Sequence, residues 1–277
     1  MVTKRVELSY QLSEAIIRAC LSENELSVID KLKVEDSLAS TNDWVLKRQP
    51  QAARLFTVCI ANQQTAGRGR NGKVWQSPPD ANIYISIGGL LNIEQLKNPS
   101  SLSLACGVSL ARMLEKIGVC AGLKWPNDIL FEGKKLAGIL VETRLKANQM
   151  YVVVGVGLNV KMPAQAATYI EQPWVDLNRA LTNNSASLNR NELAAKILMV
   201  LVRCLQDFSA SEFDSFQEDW KRFDLLSGRN VIIKTDTQEL NAKVLGFNKD
   251  YSLRAEINQQ EKTFYAADIK LKIAEKC

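Results

Sequence analysis

Three apolar runs between Leu123 and Asn159 constrain the fold more than any other part of this 277-residue chain. Leu123-Lys124-Trp125 is closed by Pro126, which lacks the N–H a strand needs, and Asn127-Asp128 is turn material. Glu132-Gly133-Lys134-Lys135 turns into residues 136–142, and residues 150–157 follow, leading into Gly157-Leu158-Asn159. β-Branched runs joined by short turns predict antiparallel hairpins. Lys124, Lys135, Gly138 and Asn159 therefore belong to successive strands of one sheet. Lysines beside glycines in such a sheet are less readily read as solvated strand ends.

The flanking segments supply more strands and the helices to cover them. Residues 55–61 read as a strand, and residues 82–91 alternate with Ile83, Ile85 and Ile87 on one face. Residues 101–118 carry Leu102, Cys106, Leu110, Met113, Leu114 and Ile117 as one helical stripe with Gly118 as its stop. Further helices are predicted over 9–21 and 190–208, and Phe213, Phe216, Trp220 and Phe223 continue as another with a core role. After Leu226-Ser227-Gly228 the period changes to five short β runs, at 231–234, 240–247, 253–257, 263–266 and 269–273. The expected organisation is an α/β (α+β) domain over 1–227 and a small barrel-like β domain over 228–277.

Composition excludes several chemistries. The chain has no histidine, so Ser-His-Asp and Cys-His catalysis and histidine-ligated metals are out. Its six cysteines show no C-x-x-C pair or metal-ligand spacing, which suits free thiols in a reducing compartment, with the cytoplasm as default. No apolar run is long enough to cross a bilayer, and no signal-peptide core follows the N-terminus. Residues 1–33 balance five basic against five acidic side chains, and no DNA-reading domain is expected there. The net charge of +5 is too mild to imply a nucleic-acid partner.

The chemistry-bearing stretch is Gln63-Gln64-Thr65-Ala66-Gly67-Arg68-Gly69-Arg70-Asn71-Gly72-Lys73-Val74-Trp75. Its glycines let backbone N–H groups converge and its arginines are forked donors, a combination suited to a phosphate or carboxylate, though RNA-binding segments share it. Ser40-Thr41-Asn42-Asp43 reads first as a helix N-cap and second as polar groups facing a ligand.

Taken in order, Ser-Thr-Asn, Gln-x-x-Gly-Arg-Gly-Arg-x-Gly, Lys-Trp-Pro-Asn-Asp, Lys-Lys-Leu-Ala-Gly-Ile-Leu-Val-Glu and Gly-Val-Gly-Leu-Asn closely resemble the biotin protein ligases, from about residue 30 to the C-terminus. The resemblance implies a catalytic domain with a mixed sheet like that of class II aminoacyl-tRNA synthetases and lipoate ligases, followed by an SH3-like barrel. It implies the monofunctional type, without an N-terminal helix-turn-helix. It implies ATP-dependent activation of biotin as biotinyl-5′-adenylate, then transfer to a lysine of a biotin carboxyl carrier protein, such as an acetyl-CoA carboxylase subunit. Neither DNA nor membrane is an expected partner, and monomer and homodimer are both open.

Site residues follow from the same resemblance. Lys135, Arg68 and Arg70 would be catalytic. Ser40, Thr41, Asn42, Gln64 and Gly69 would join them in binding biotin. Arg70, Lys73, Trp75, Lys124, Asn127 and Asn159 would meet the nucleotide, with Trp75 on adenine. Asp128, beside Asn127, is the candidate for Mg²⁺, which favours one or two carboxylates plus phosphate oxygens. Gly138 and Gly157 suit close backbone approach or simple packing. Lys272 stands where an arginine often reaches the nucleotide. Ala39 and Lys73-Val74 also depart from the family pattern.

Overall fold

The computed structural model describes residues 11–92, 99–146, 149–181, 189–211, 214–235, 237–266 and 270–273. Its helices are α1 (Glu14–Ala19), α2 (Glu23–Ser27), α3 (Thr41–Leu46), α4 (Pro99–Lys116), α5 (Ala164–Ala167), α6 (Leu177–Ala180), α7 (Arg190–Ser211) and α8 (Gln217–Phe223). The first sheet is made of β1 (Ile29–Leu38), β2 (Phe56–Gln64), β3 (Ile83–Asn92), β4 (Gly122–Lys124), β5 (Asp128–Phe131), β6 (Lys134–Lys146) and β7 (Gln149–Leu158). These lie in the order β1-β2-β3-β7-β6-β5-β4. β1 and β2 are parallel. All other neighbours are antiparallel. The sheet is mixed because the parallel pair needs a crossover, and that crossover carries α3.

Alternation along β7 separates the two faces. Val152, Val154, Val156 and Leu158 enter the main core with α4 and α7. Tyr151 and Val153 face the other way and pack with Val45 and Leu46 of α3. One face thus lies under two long amphipathic helices, while the other carries a single short one. Uncovered sheet beside α3 is where a ligand crevice can form.

The N-terminal helices dock on this body. Leu12 N donates to Asn62 Oδ1 at 3.0 Å, and Ser13 N to Asn191 Oδ1 at 2.8 Å. A capping box of Ser22 and Glu25 starts α2. The helix expected over 9–21 is shorter at both ends, and β1 forms where no strand was expected. The aromatic run over 213–223 divides into a 3₁₀ turn, Asp214–Phe216, and α8, and Phe213 lies outside the described residues.

Five further strands, β8 (Asn230–Lys234), β9 (Glu239–Phe247), β10 (Leu253–Ile257), β11 (Gln260–Phe264) and β12 (Lys270–Ile273), form an antiparallel sheet in the order β11-β10-β9-β8-β12. Val231, Ile233, Val244, Leu253 and Ala255 of this sheet belong to the same core as the first. An aromatic clasp joins the two. The Phe247 ring lies 6.4 Å from Trp125 and 5.4 Å from Trp220, the latter edge-on. Trp125 Nε1 donates to Tyr251 O at 3.2 Å.

Cys59, Cys106 and Cys204 are buried, whereas Cys20 and Cys120 are exposed. Desolvation pushes the Cys59 thiol up to about 12, and the Cys204 contact with burial pushes Cys106 up as well. A thiol reacts as its thiolate, so at pH 8 iodoacetamide should alkylate Cys20 and Cys120 in the folded protein. Cys59, Cys106 and Cys204 should react only after unfolding, which peptide-level mass spectrometry would read.

Candidate functional site

Strand register assembles the site. Asp128 pairs with Gly138, and Gly138 with Gly157, which pairs with Tyr84. One step along, Leu140 pairs with Gly155, which pairs with Ser86. The next row joins Glu142, Val153 and Gly88. All three rows are on the α3 face, and Gly138, Gly155 and Gly157 leave its middle without side chains. A Cβ on Gly157 would lie 2.4 Å from the Trp75 indole, and one on Gly155 only 2.1 Å from Asn42 Oδ1. These two glycines are required for close approach.

At one end of this floor stands Lys135. Its Nζ pairs with Asp128 Oδ1 at 2.7 Å and lies 5.2 Å from the centre of the Trp75 ring. Trp75 Nε1 is buried without a hydrogen-bond partner.

The other end is a polar cluster. Ser40 caps α3 by accepting from Asp43 N, so the capping role holds, and Ser40, Thr41 and Asn42 are all buried. Thr41 N and Oγ1 lie 2.9 and 3.0 Å from Gln64 Oε1. Gln64 Nε2 donates to Ser77 Oγ at 3.1 Å, which in turn donates to Trp75 O at 3.0 Å. Asn42 Nδ2 donates to Glu142 Oε2 at 2.8 Å. Ser86 Oγ lies 2.7 Å from Thr41 Oγ1 and 2.5 Å from Asn42 Oδ1.

Between these ends the glycine-arginine stretch folds as a hairpin over the floor. Trp75 N donates to Gly67 O at 2.9 Å, and Gly69 N to Lys73 O at 2.7 Å. The tip turns through Asn71 at φ 55° and Gly72 at φ 70°, the left-handed region. Its two arginines part company. Arg68 binds both oxygens of Glu142, at 3.1 to 3.2 Å, and Asp43 Oδ1 at 2.5 Å, so it sits toward the polar cluster rather than beside Lys135. Burial would lower its pKa, but Glu142 and Asp43 outweigh that and hold it above its ordinary value. Arg70 donates to Asn127 Oδ1 at 3.2 Å and to Ala266 O, just past the end of β11. Burial pulls its pKa down against the pull of Asp128.

The remaining sequence candidates spread around this centre. Asn127 Nδ2 donates to Ile139 O at 2.9 Å, fixing its amide. Asn159 is buried, its Nδ2 donating to Lys135 O and Val175 O at 3.3 and 3.1 Å, while its Oδ1 has no partner. Lys124 pairs with Asp128 across β4 and β5, and Lys73 is exposed at the hairpin tip. The Lys272 side chain lies outside the described residues.

Three features were given no role by the motifs, although Glu142 closes one of them. Ser86 looked like an ordinary strand residue, and Glu142 like the end of a strand. The third is the segment after β7, which returns alongside Lys135. Lys135 N donates to Pro173 O at 2.9 Å and Val175 N to Lys135 O at 3.0 Å. Arg179 stacks 4.7 Å from the centre of Trp174 beside it. The Glu-Gln-Pro-Trp sequence at 171–174 was the available clue.

For a divalent cation the protein offers one carboxylate here, Asp128, already paired with Lys135. No group of three or more His, Cys, Asp or Glu side chains gathers among the described residues. That donor set fits a magnesium held chiefly by phosphate oxygens, not a protein cage.

Residues 34–159 match the model of the Biotin/lipoate A/B protein ligase family. The bifunctional ligase/repressor BirA of Escherichia coli is 34% identical over 86% of this chain and 73% of its own. The chain belongs to this family, among its biotin protein ligases. The biotin--[acetyl-CoA-carboxylase] ligase of Mycobacterium tuberculosis is 38% identical to this ligase over 62% of each chain. The structure of the Aquifex aeolicus biotin protein ligase with biotin and ATP aligns with a TM-score of 0.71 at 25% identity, covering 88% of this ligase and 99% of that chain.

Half-exposed ion pairs such as Arg68–Asp43 contribute about 0.2–1 kcal/mol, so losing one should loosen the hairpin without opening it fully. Asp43→Asn should speed tryptic cleavage after Arg70 and Lys73 by about two- to fivefold. A time course read by mass spectrometry checks this.

Proposed function

We propose that this ligase couples biotin to ATP as biotinyl-5′-adenylate and then biotinylates a lysine of a biotin carboxyl carrier protein. The observation that carries the reading is one sheet face with a cationic end, Lys135 and Arg70 beside Asn127 and Asp128, and a polar end, Ser40 to Gln64. Biotin has that polarity, a neutral ureido head and an anionic tail.

In the first step a biotin carboxylate oxygen attacks the α-phosphorus and pyrophosphate leaves. Two anions must approach, and the lysine and arginine charges offset that repulsion in a partly dehydrated site. A carboxylate is already a nucleophile, so no base is needed, which suits a chain without histidine. Arg70, desolvated and tied to Asn127, would bridge carboxylate and phosphate. Trp75 would lie against the adenylate, and Asn159 Oδ1, unpartnered and buried, suits a nucleotide donor. A magnesium, when bound, neutralises phosphate charge next to Asp128. In the second step a neutral lysine amine attacks the anhydride carbonyl. The C–N bond forms, the C–O bond to phosphate breaks, and AMP departs as the ammonium proton is lost to solvent.

The domain division at residue 227 and an SH3-like closure of the second sheet belong to the same reading. Arg70 on Ala266 O gives that sheet a place in the site. Among the described residues no helix is long and apolar enough to cross a membrane. Buried thiols of Cys106 and Cys204, 3.7 Å apart, support a reducing, cytoplasmic setting.

Biotin-dependent exchange of pyrophosphate into ATP tests the first step. Lys135→Ala should lower it by about two to three orders of magnitude, as loss of a charged transition-state donor does. Arg70→Gly should retain measurable exchange but release the adenylate, seen as biotinylation of bystander amines.

A further inference from the structure

We infer that Glu142, given no role by the sequence motifs, dictates the direction of the hydrogen bonds at the polar end of the crevice and thereby selects a head group that presents N–H donors. The inference rests on the ligase reading and concerns what makes its polar end specific.

The argument is a count of protons. Glu142 is held as an acceptor by Arg68, whose Nη1 and Nη2 approach it at 3.1 to 3.2 Å. An acceptor-only carboxylate forces Asn42 to turn its Nδ2 toward Glu142, at 2.8 Å, and therefore its Oδ1 toward Ser86, at 2.5 Å. At the opposite side, Thr41 N is a donor only, so Gln64 must offer it Oε1 at 2.9 Å. The far side of Gln64 agrees, because Ser77 spends its proton on Trp75 O at 3.0 Å and takes Gln64 Nε2 at 3.1 Å. Both amides are thus fixed from outside.

Two hydroxyls, Ser86 and Thr41, remain between two amide oxygens. Three oxygen–oxygen approaches, Asn42 Oδ1 to Ser86 Oγ at 2.5 Å, Ser86 Oγ to Thr41 Oγ1 at 2.7 Å and Thr41 Oγ1 to Gln64 Oε1 at 3.0 Å, share two protons. One approach is always lone pair against lone pair. Ser86 is 0% and Thr41 and Asn42 each 4% exposed, so solvent does not relieve it. A ligand N–H relieves it, and a ligand acceptor or an apolar ring does not. A cyclic urea carries two such donors, whereas the disulfide ring of a lipoyl head carries none. Were Asn42 free to flip, its NH₂ would face Ser86 and the shortage would vanish together with the preference.

The test is calorimetric titration of the full chain with biotin and with lipoate. Glu142→Gln can donate as well as accept, which frees Asn42. It should weaken biotin by at least about tenfold and reduce the biotin-over-lipoate ratio by a similar factor. The KM for ATP at saturating biotin should stay within about threefold, since the nucleotide end is untouched. Asp43→Asn loosens Arg68 but leaves Glu142 a carboxylate, and should weaken biotin by less than about fivefold. A Glu142→Gln ratio within about threefold of wild type, or equal losses in the two variants, overturns the inference. A measurement on the unaltered chain keeps the question decidable if Glu142→Gln does not fold. The cyclic-carbamate analogue of biotin, with one ureido N–H replaced by ring oxygen, should bind at least about tenfold more weakly, and equal binding overturns the inference. If the wild-type chain bound no biotin at all, the ligase reading itself would fail. Normal wild-type binding with an unaffected Glu142→Gln removes only the role of Glu142.

Discussion

The register of β3, β7 and β6 is the constraint on which the rest of the structure depends. It stacks Gly157 on Gly138 and Gly155 beside Ser86, all on one face, while Val152, Val154 and Val156 of the same strand fill the core behind. Because the side-chain period of a strand is two, a slip by one residue would send the valines into the crevice and the glycines into the core. The burial of the valines therefore holds the glycines in place. Stability and site geometry are set by the same alternation.

Onto that bare floor the chain lays two side chains that would not otherwise fit, the Trp75 indole and the Asn42 amide. Each is then moored by charge. Lys135, itself paired with Asp128, lies over Trp75, and Glu142 takes Asn42 together with Arg68. The hairpin that covers the floor is consequently tied down at two points of unlike character. Arg68 is half-exposed and doubly paired with acids, a tether that salt and solvent weaken. Arg70 is desolvated and held by neutral oxygens of Asn127 and Ala266. Two neighbouring arginines in sequence thus have different work in space.

Much of this was legible beforehand. The strands around 83–92 and 149–158, both long helices and four strands of the second sheet follow from period and punctuation, while the run expected at 263–266 is β11, three residues earlier at Gln260–Phe264. What escaped had physical reasons. β1 is an edge strand in which only Leu32 and Val34 are apolar between Asp30 and Ser37, too few to show its ten-residue length. β5 is four residues long and sits after a proline, too short to show a period. Resemblance to the family's motifs singled out Lys135, Gln64 and Arg70. It gave no role to Ser86 and Glu142, which join the polar cluster only through register, or to Trp174, which reaches Lys135 only once its segment has folded back.

The claim that glycine rows create the crevice is most directly tested at Gly155. A methyl group there would occupy the position of Asn42 Oδ1, 2.1 Å away, without meeting the valine core. Gly155→Ala should therefore unfold within a few degrees of the wild-type temperature yet bind biotin at least about tenfold more weakly by calorimetric titration. Wild-type affinity in a folded Gly155→Ala chain would contradict the account.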